Sequence, residues 1–205
     1  MITEIISANH PNAIRHAIDV LRNDGLVAFP TDTVYGLAAP VNNVESINRL
    51  YVVKGRNNTK AIAVLLGDSD QLPDVTADLS ETARKTADNL WPGPLTMIVP
   101  RNPALPEILS PLPTIGVRIP DHPVALALLK AAGPLAVTSA NLSGAANTLT
   151  AKQVMKQLKG RIHLIIDGGR APGGVPSTVI DYTTPEPKIL REGPITLKQI
   201  IDLCK

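Results

Sequence analysis

The chain has 205 residues, 44% of them apolar, with 20 basic and 18 acidic side chains for a formal net charge of +2. That length can bury a substantial core and allows one domain or at most two small ones, while so small a charge excess does not demand a nucleic-acid partner. Aromatics at 2% leave packing to Val, Ile, Leu and Ala and argue against stacking platforms for single-stranded nucleic acid. The single cysteine, Cys204, leaves neither an intrachain disulfide nor a cysteine-rich metal site. No run reaches the roughly 18 apolar residues of a membrane span, and the N-terminus lacks a secretory leader. A cytoplasmic location is expected.

Pro11 opens a helical period with Ile14, Ala17, Ile18 and Leu21 on one face, ended by Asn23-Asp24-Gly25. Leu26-Val27-Ala28-Phe29 then reads as a buried strand, closed by Pro30 where a missing ladder donor is tolerable. The hydroxyls of Thr31, Thr33 and Tyr35 and the carboxylate of Asp32 follow at once. A surface turn accounts for Thr31 and Asp32. It accounts less well for Tyr35, a large ring beside the permissive Gly36.

After a short Ala-rich segment, 44–53 reads as a helix that delivers Lys54-Gly55-Arg56 at its C-terminal end, and 61–66 as a buried strand. An amphipathic helix over 80–90 has Ser80 as candidate cap and is broken by Trp91-Pro92-Gly93-Pro94. The strand 95–99 leads into five prolines that make 100–113 an irregular loop. The remainder reads as a strand at 114–119, a helix at 123–131, a strand at 135–138, a helix at 151–158, strands at 162–166, 177–181 and 188–190, and a short helix from about 197. Several of these strands have no helix between them, so some join as hairpins. The expectation is one α/β domain with an open mixed sheet.

Familiar signatures are missing: there is no Walker A run, GxGxxG, HExxH or GxSxG. His10, His16, His122 and His163 are scattered, which argues against a protein-held transition metal. Basic and hydroxylated groups at strand ends stand out instead. Lys54, Arg56 and Lys60 cluster at a helix C-terminus, where cations are favourable and where phosphate binding is the sharper reading. Arg118 interrupts an apolar strand, so it must leave the core or pair with an anion. Ser139 and Asn141 end another strand, where alternation predicts a shared side, and Arg191 ends a third. Such groups could converge on one crevice.

Seven strings in order carry a resemblance over residues 8–195: Phe29 to Leu37, Lys54-Gly55-Arg56, Trp91 to Thr96, Val117-Arg118-Ile119-Pro120, Thr138 to Gly144, Pro176 to Asp181 and Leu190-Arg191-Glu192-Gly193. The chain resembles the YrdC-type threonylcarbamoyl-AMP synthases in their short, single-domain form. The resemblance implies a YrdC-like domain over 8–195 with a short helix or tail over 196–205, an open twisted sheet and a large concave basic cavity. It implies ATP with Mg²⁺, bicarbonate and L-threonine as reactants, threonylcarbamoyl-AMP and pyrophosphate as products, and a tRNA threonylcarbamoyl-transferase complex downstream for the t6A modification of tRNA.

By the same resemblance Lys54, Arg56, Ser139 and Asn141 surround ATP and the reacting centre, with Lys60, Thr138 and Arg191 near the nucleotide. Thr31, Tyr35 and Arg118 take L-threonine, with Arg118 on its carboxylate, while Ser177 and Thr178 sit along the wall. After Arg56 the pattern departs: Asn57-Asn58-Thr59 stands where relatives commonly continue with a proline, and Leu65 stands in place of a histidine. Asp32 is open between a general base and a turn cap. A non-catalytic double-stranded-RNA-binding factor of the same fold is the alternative. A carbamoyl-phosphate-handling relative would be longer and carry zinc-finger-like cysteines.

Overall fold

A computed structural model describes residues 1–184 and 186–203; Cys204 and Lys205, the end of the expected tail, lie outside the described residues. Ten strands form one open mixed sheet: β1 (Glu4–Ser7), β2 (Val27–Phe29), β3 (Gly36–Pro40), β4 (Ala63–Leu65), β5 (Leu95–Pro100), β6 (Thr114–Arg118), β7 (Leu135–Ser139), β8 (Leu164–Asp167), β9 (Thr178–Asp181) and β10 (Lys188–Arg191). Their spatial order is β1-β8-β2-β3-β7-β4-β6-β5-β9-β10. Pairing is parallel at β1/β8, β2/β8, β4/β6 and β5/β9, and antiparallel at the other contacts. The mixed sheet expected from the strand spacing is what forms.

Six helices flank it: α1 (Ala13–Arg22), α2 (Val44–Lys54), α3 (Glu81–Leu90), α4 (Pro123–Ala132), α5 (Ala151–Leu158) and α6 (Leu197–Leu203). Local chemistry sets several ends. The Asn43, Ser80 and Thr150 side chains accept the backbone N–H groups of Ser46, Ala83 and Gln153, satisfying donors that a helix start leaves free. Gly55 closes α2 in the left-handed conformation at φ 58°.

Strand alternation divides the apolar residues between two cores. Leu26, Ala28, Leu37, Ala39 and Ile165 join the side chains of α2, α3 and α5 on one face, while Val27, Phe29, Ala38, Leu164 and Ile166 join those of α1 and α4 on the other. The central strands are thereby held from both sides.

Two strands had no sequence signal. β3 reads as Gly-Leu-Ala-Ala-Pro, poor in β-branched residues, yet it lies fully paired between β2 and β7. β1 adds a largely exposed edge ahead of residue 8. Within 100–113 the loop is less irregular than its prolines imply: 107–109 form one 3₁₀ turn, and the Ile108 carbonyl accepts the Tyr51 hydroxyl at 3.0 Å.

Candidate active site

The C-terminal ends of β2, β6, β7 and β10 surround a cleft of about 240 Å³. Gly36, in its lining, is required by space rather than backbone freedom: a Cβ there would lie 2.8 Å from Val137 Cγ1 on the paired β7. Arg56, Arg118 and Arg191 all line the cleft, and no carboxylate does among the described residues. The charges couple through Arg191. Burial first, and then the charge of Arg56, lowers the Arg191 pKa; burial first lowers that of Arg118, with Asp32 opposing and Arg191 adding.

Arg118 is 5% exposed, so its charge needs partners inside the protein. Its Nε donates to the Gly93 carbonyl at 2.9 Å, Nη1 to Thr33 Oγ1 at 3.1 Å, and Nη2 pairs with Asp32 Oδ1. Three of its five N–H groups are thus committed, and two are without a bond from these partners. Asp32 is the counter-ion of Arg118 and does not line the cleft; its Oδ2 is buried without a partner.

Proton bookkeeping orders the neighbouring loop. Thr31 Oγ1 lies 2.6 Å from the Val34 carbonyl, which can only accept, so the Thr31 proton goes there. Thr33 must then donate across the 3.0 Å to Thr31 Oγ1, while accepting from Arg118. The chain Arg118 to Thr33 to Thr31 to Val34 has one direction. Thr31 lines the cleft, but its hydroxyl proton is already used. Tyr35 borders the cleft too; burial first, with Asp167 nearby, pushes its hydroxyl pKa up to about 12, and that hydroxyl donates to the Gly169 carbonyl at 2.7 Å.

At the other end, Arg56 Nη2 donates to the Ala61 carbonyl at 2.9 Å, and Arg191 uses Nε and Nη2 on the Ser177 carbonyl at 3.0 and 2.7 Å. Ser177 Oγ meets Thr96 Oγ1 at 2.8 Å, and Thr138 and Ser139 complete that wall. Thr178 is turned away, its hydroxyl donating to the Ile195 carbonyl at 2.7 Å. Lys60 is exposed outside the lining.

Two pairs expected to act together are separated. Gly55 turns the chain so that Arg56 lines the cleft while Lys54, 2% exposed, does not. Its ammonium donates instead to the Ser139 and Asn141 carbonyls, and burial with the Arg56 charge lowers its pKa to about 8. Ser139 lines the cleft but Asn141 is buried beside Lys54, because β7 ends at Ser139 and strand alternation no longer applies beyond it. Thr33, Thr96 and Asn147 also line the cleft, with no role assigned to any of them from sequence. The threonine spacing of Thr31 and Thr33 was the available signal for one; nothing in sequence marked Asn147.

Leu65 lines the cleft with Ala63 and Val137, an aliphatic patch between Arg118 and Ser139. Among the described residues no cluster of His, Cys, Asp and Glu gathers as a metal site, and no helix is long and apolar enough to cross a membrane.

Residues 19–193 match the Sua5/YciO/YrdC family model, described as telomere recombination. The chain is 43% identical over 202 residues to the threonylcarbamoyl-AMP synthase of Bacillus subtilis, covering 97% of this chain and 58% of that protein. It superposes on Pyrococcus abyssi Sua5 complexed with L-threonine with a TM-score of 0.94 at 35% identity, over 99% of this chain and 61% of that one. E. coli YciO gives a TM-score of 0.83 at 27% identity, over 97% and 98% of the two chains. The chain therefore spans somewhat more than half the length of the first two relatives, and nearly all of the third.

Proposed function

Because the chain belongs to the Sua5/YciO/YrdC family, we propose that it is an L-threonylcarbamoyladenylate synthase, joining L-threonine, bicarbonate and ATP and releasing pyrophosphate. The observation that carries this reading is one cleft in which three arginines, without a carboxylate, face the hydroxylated wall of Thr96, Thr138, Ser139 and Ser177. The reaction brings an amino-acid carboxylate, a carbamate and a triphosphate together, and such a cleft neutralises all three.

The two spare N–H groups of Arg118 receive the threonine carboxylate, beside Thr31 and the backbone around Tyr35. The threonine methyl packs on Ala63, Leu65 and Val137. The uncharged amine attacks the bicarbonate carbon, a C–O bond breaks and water leaves to give the carbamate; a carbamate oxygen then attacks the α-phosphorus and the bond to pyrophosphate breaks. Arg56 and Arg191 offset the charge that develops there, with Thr138 and Ser139 orienting the phosphates and Lys60 reaching in from the rim. Catalysis is then positioning and electrostatic stabilisation. A lining without carboxylates suits a Mg²⁺ ion that enters bound to ATP, as part of the substrate.

Asp32 is spent on Arg118 and off the cleft, so the amine proton leaves by another route, to bicarbonate or solvent. The product would pass to a tRNA threonylcarbamoyl-transferase complex in the cytoplasm. The RNA-binding alternative is not favoured, since relatives matching nearly the whole chain carry the synthase name.

The test is pyrophosphate release with ATP, Mg²⁺ and bicarbonate, with and without L-threonine, alongside mass detection of threonylcarbamoyl-AMP. Threonine-dependent release with that product is expected. A folded protein that releases none would overturn the reading.

A further inference from the structure

Lys54 sits at the last turn of α2, two residues before a cleft arginine, yet its side chain is buried outside the cleft. An ammonium has three protons to donate. Three oxygens surround this one: the carbonyls of Ser139 and Asn141, and Asn141 Oδ1 at 3.4 Å. Donors and acceptors match, so nothing remains for a phosphate.

The acceptors are tied down in turn. Asn141 Nδ2 donates to the Ala145 carbonyl at 2.7 Å, which fixes the amide with its oxygen toward Lys54. Asn141 N–H donates to the Ser139 carbonyl at 2.9 Å, and Ser143 N–H donates to the Lys54 carbonyl at 2.8 Å. Lys54 thus clips the end of α2 to the turn over 139–145 twice, once by its side chain and once by its backbone. On one side of the clip the chain passes through Gly55 to Arg56; on the other it runs back through Ser139 to Thr138. These are the cationic and hydroxylated walls of the nucleotide end.

We infer that Lys54 is a positioning residue: with Asn141 it holds the Thr138–Ser139 wall at a set distance from Arg56, and it does not itself touch the substrate. The consequence for turnover rests on the synthase reading, whereas the clip itself does not. An uncharged side chain of similar length, Lys54→Met, takes the Lys54 donor from the Asn141 carbonyl and leaves the Ser139 carbonyl only the Asn141 N–H, which lets the turn open.

The experiment compares wild type with Lys54→Met by hydrogen exchange across 139–145, by affinity for α,β-methylene-ATP with Mg²⁺, and by steady-state kinetics. Exchange in the turn should rise on the order of tenfold, and analogue affinity should fall on a similar scale. The KM for L-threonine should hold. Wild-type exchange and wild-type analogue affinity in a folded variant that has lost turnover would overturn the inference, because the ammonium would then act in the chemistry itself. Exchange is read without turnover, so a wild-type protein that makes no threonylcarbamoyl-AMP sinks the synthase reading and leaves the clip to be judged on its own. Should Lys54→Met fail to fold, Lys54→Arg keeps the charge but replaces a compact three-donor head by a planar one: faster exchange in the turn supports the clip, and wild-type exchange there overturns it.

Discussion

Arg118 and Arg56 line the same cleft, but the protein holds them in different ways. Arg118 is buried against Asp32, with Thr33 and Gly93 taking further donors. Arg56 is half-buried and rests on the carbonyls of Ala61 and Lys60 at 2.9 and 3.4 Å, without a salt bridge among the described residues. One end of the cleft is therefore built into the stability of the fold, and the other is laid on top of it. A buried pair gives rigid placement of a small ligand group at the cost of making the residue irreplaceable. A guanidinium on backbone carbonyls keeps its field free for an incoming charge.

The contrast breaks most visibly at Arg118. Arg118→Ala leaves the Asp32 carboxylate buried and unpaired and should cost about 3–5 kcal/mol of stability, read from the urea midpoint; an unshifted midpoint would put the two arginines on an equal footing. Arg56→Ala should do the reverse. Its turnover should drop on the order of 10²-fold, while stability stays within about 0.5 kcal/mol of wild type. Pyrophosphate release and a melting curve on one preparation decide it, and near-normal release by the folded variant would remove Arg56 from the chemistry.

Thr33→Val sharpens the same comparison without touching a charge. It deletes the link between Arg118 and Thr31, so stability should fall by about 1–2 kcal/mol and the KM for L-threonine should rise while that for ATP holds; Thr33→Ser should restore both. An equal rise in both KM values would mean that the two ends are not separate. The smallest effect belongs to Arg191→Lys, which keeps the charge but loses the two-pronged grip on the Ser177 carbonyl. A rise of roughly threefold in the KM for ATP is expected, at unchanged stability.

Much of the fold was legible because its signals are local. Helix periods, the Ser80 cap and the apolar runs of β2, β5, β6 and β8 depend on neighbours within a few residues. β3 escaped because its alanines have little β preference, and its place is set by β2 and β7 on either side. At the site, Arg118 was legible as a charge that an apolar strand could not leave unpaired. Its partner was not: Asp32 looked equally like a cap or a base. Lys54 and Asn141, which the family strings place beside ATP, hold each other in the structure, a contact no sequence signal announced.

The sequence by itself determined which residues could matter: strand ends rich in hydroxyls and cations are visible in the order of residue types, and so are the family strings. Only the tertiary structure decided what each group does there. A hydroxyl has one proton and an ammonium three, so their roles depend on which acceptors come within reach. Those acceptors lie far off in the chain, 85 residues from Lys54 to Ser139 and 86 from Arg118 to Asp32. No local pattern reports on contacts made across that separation.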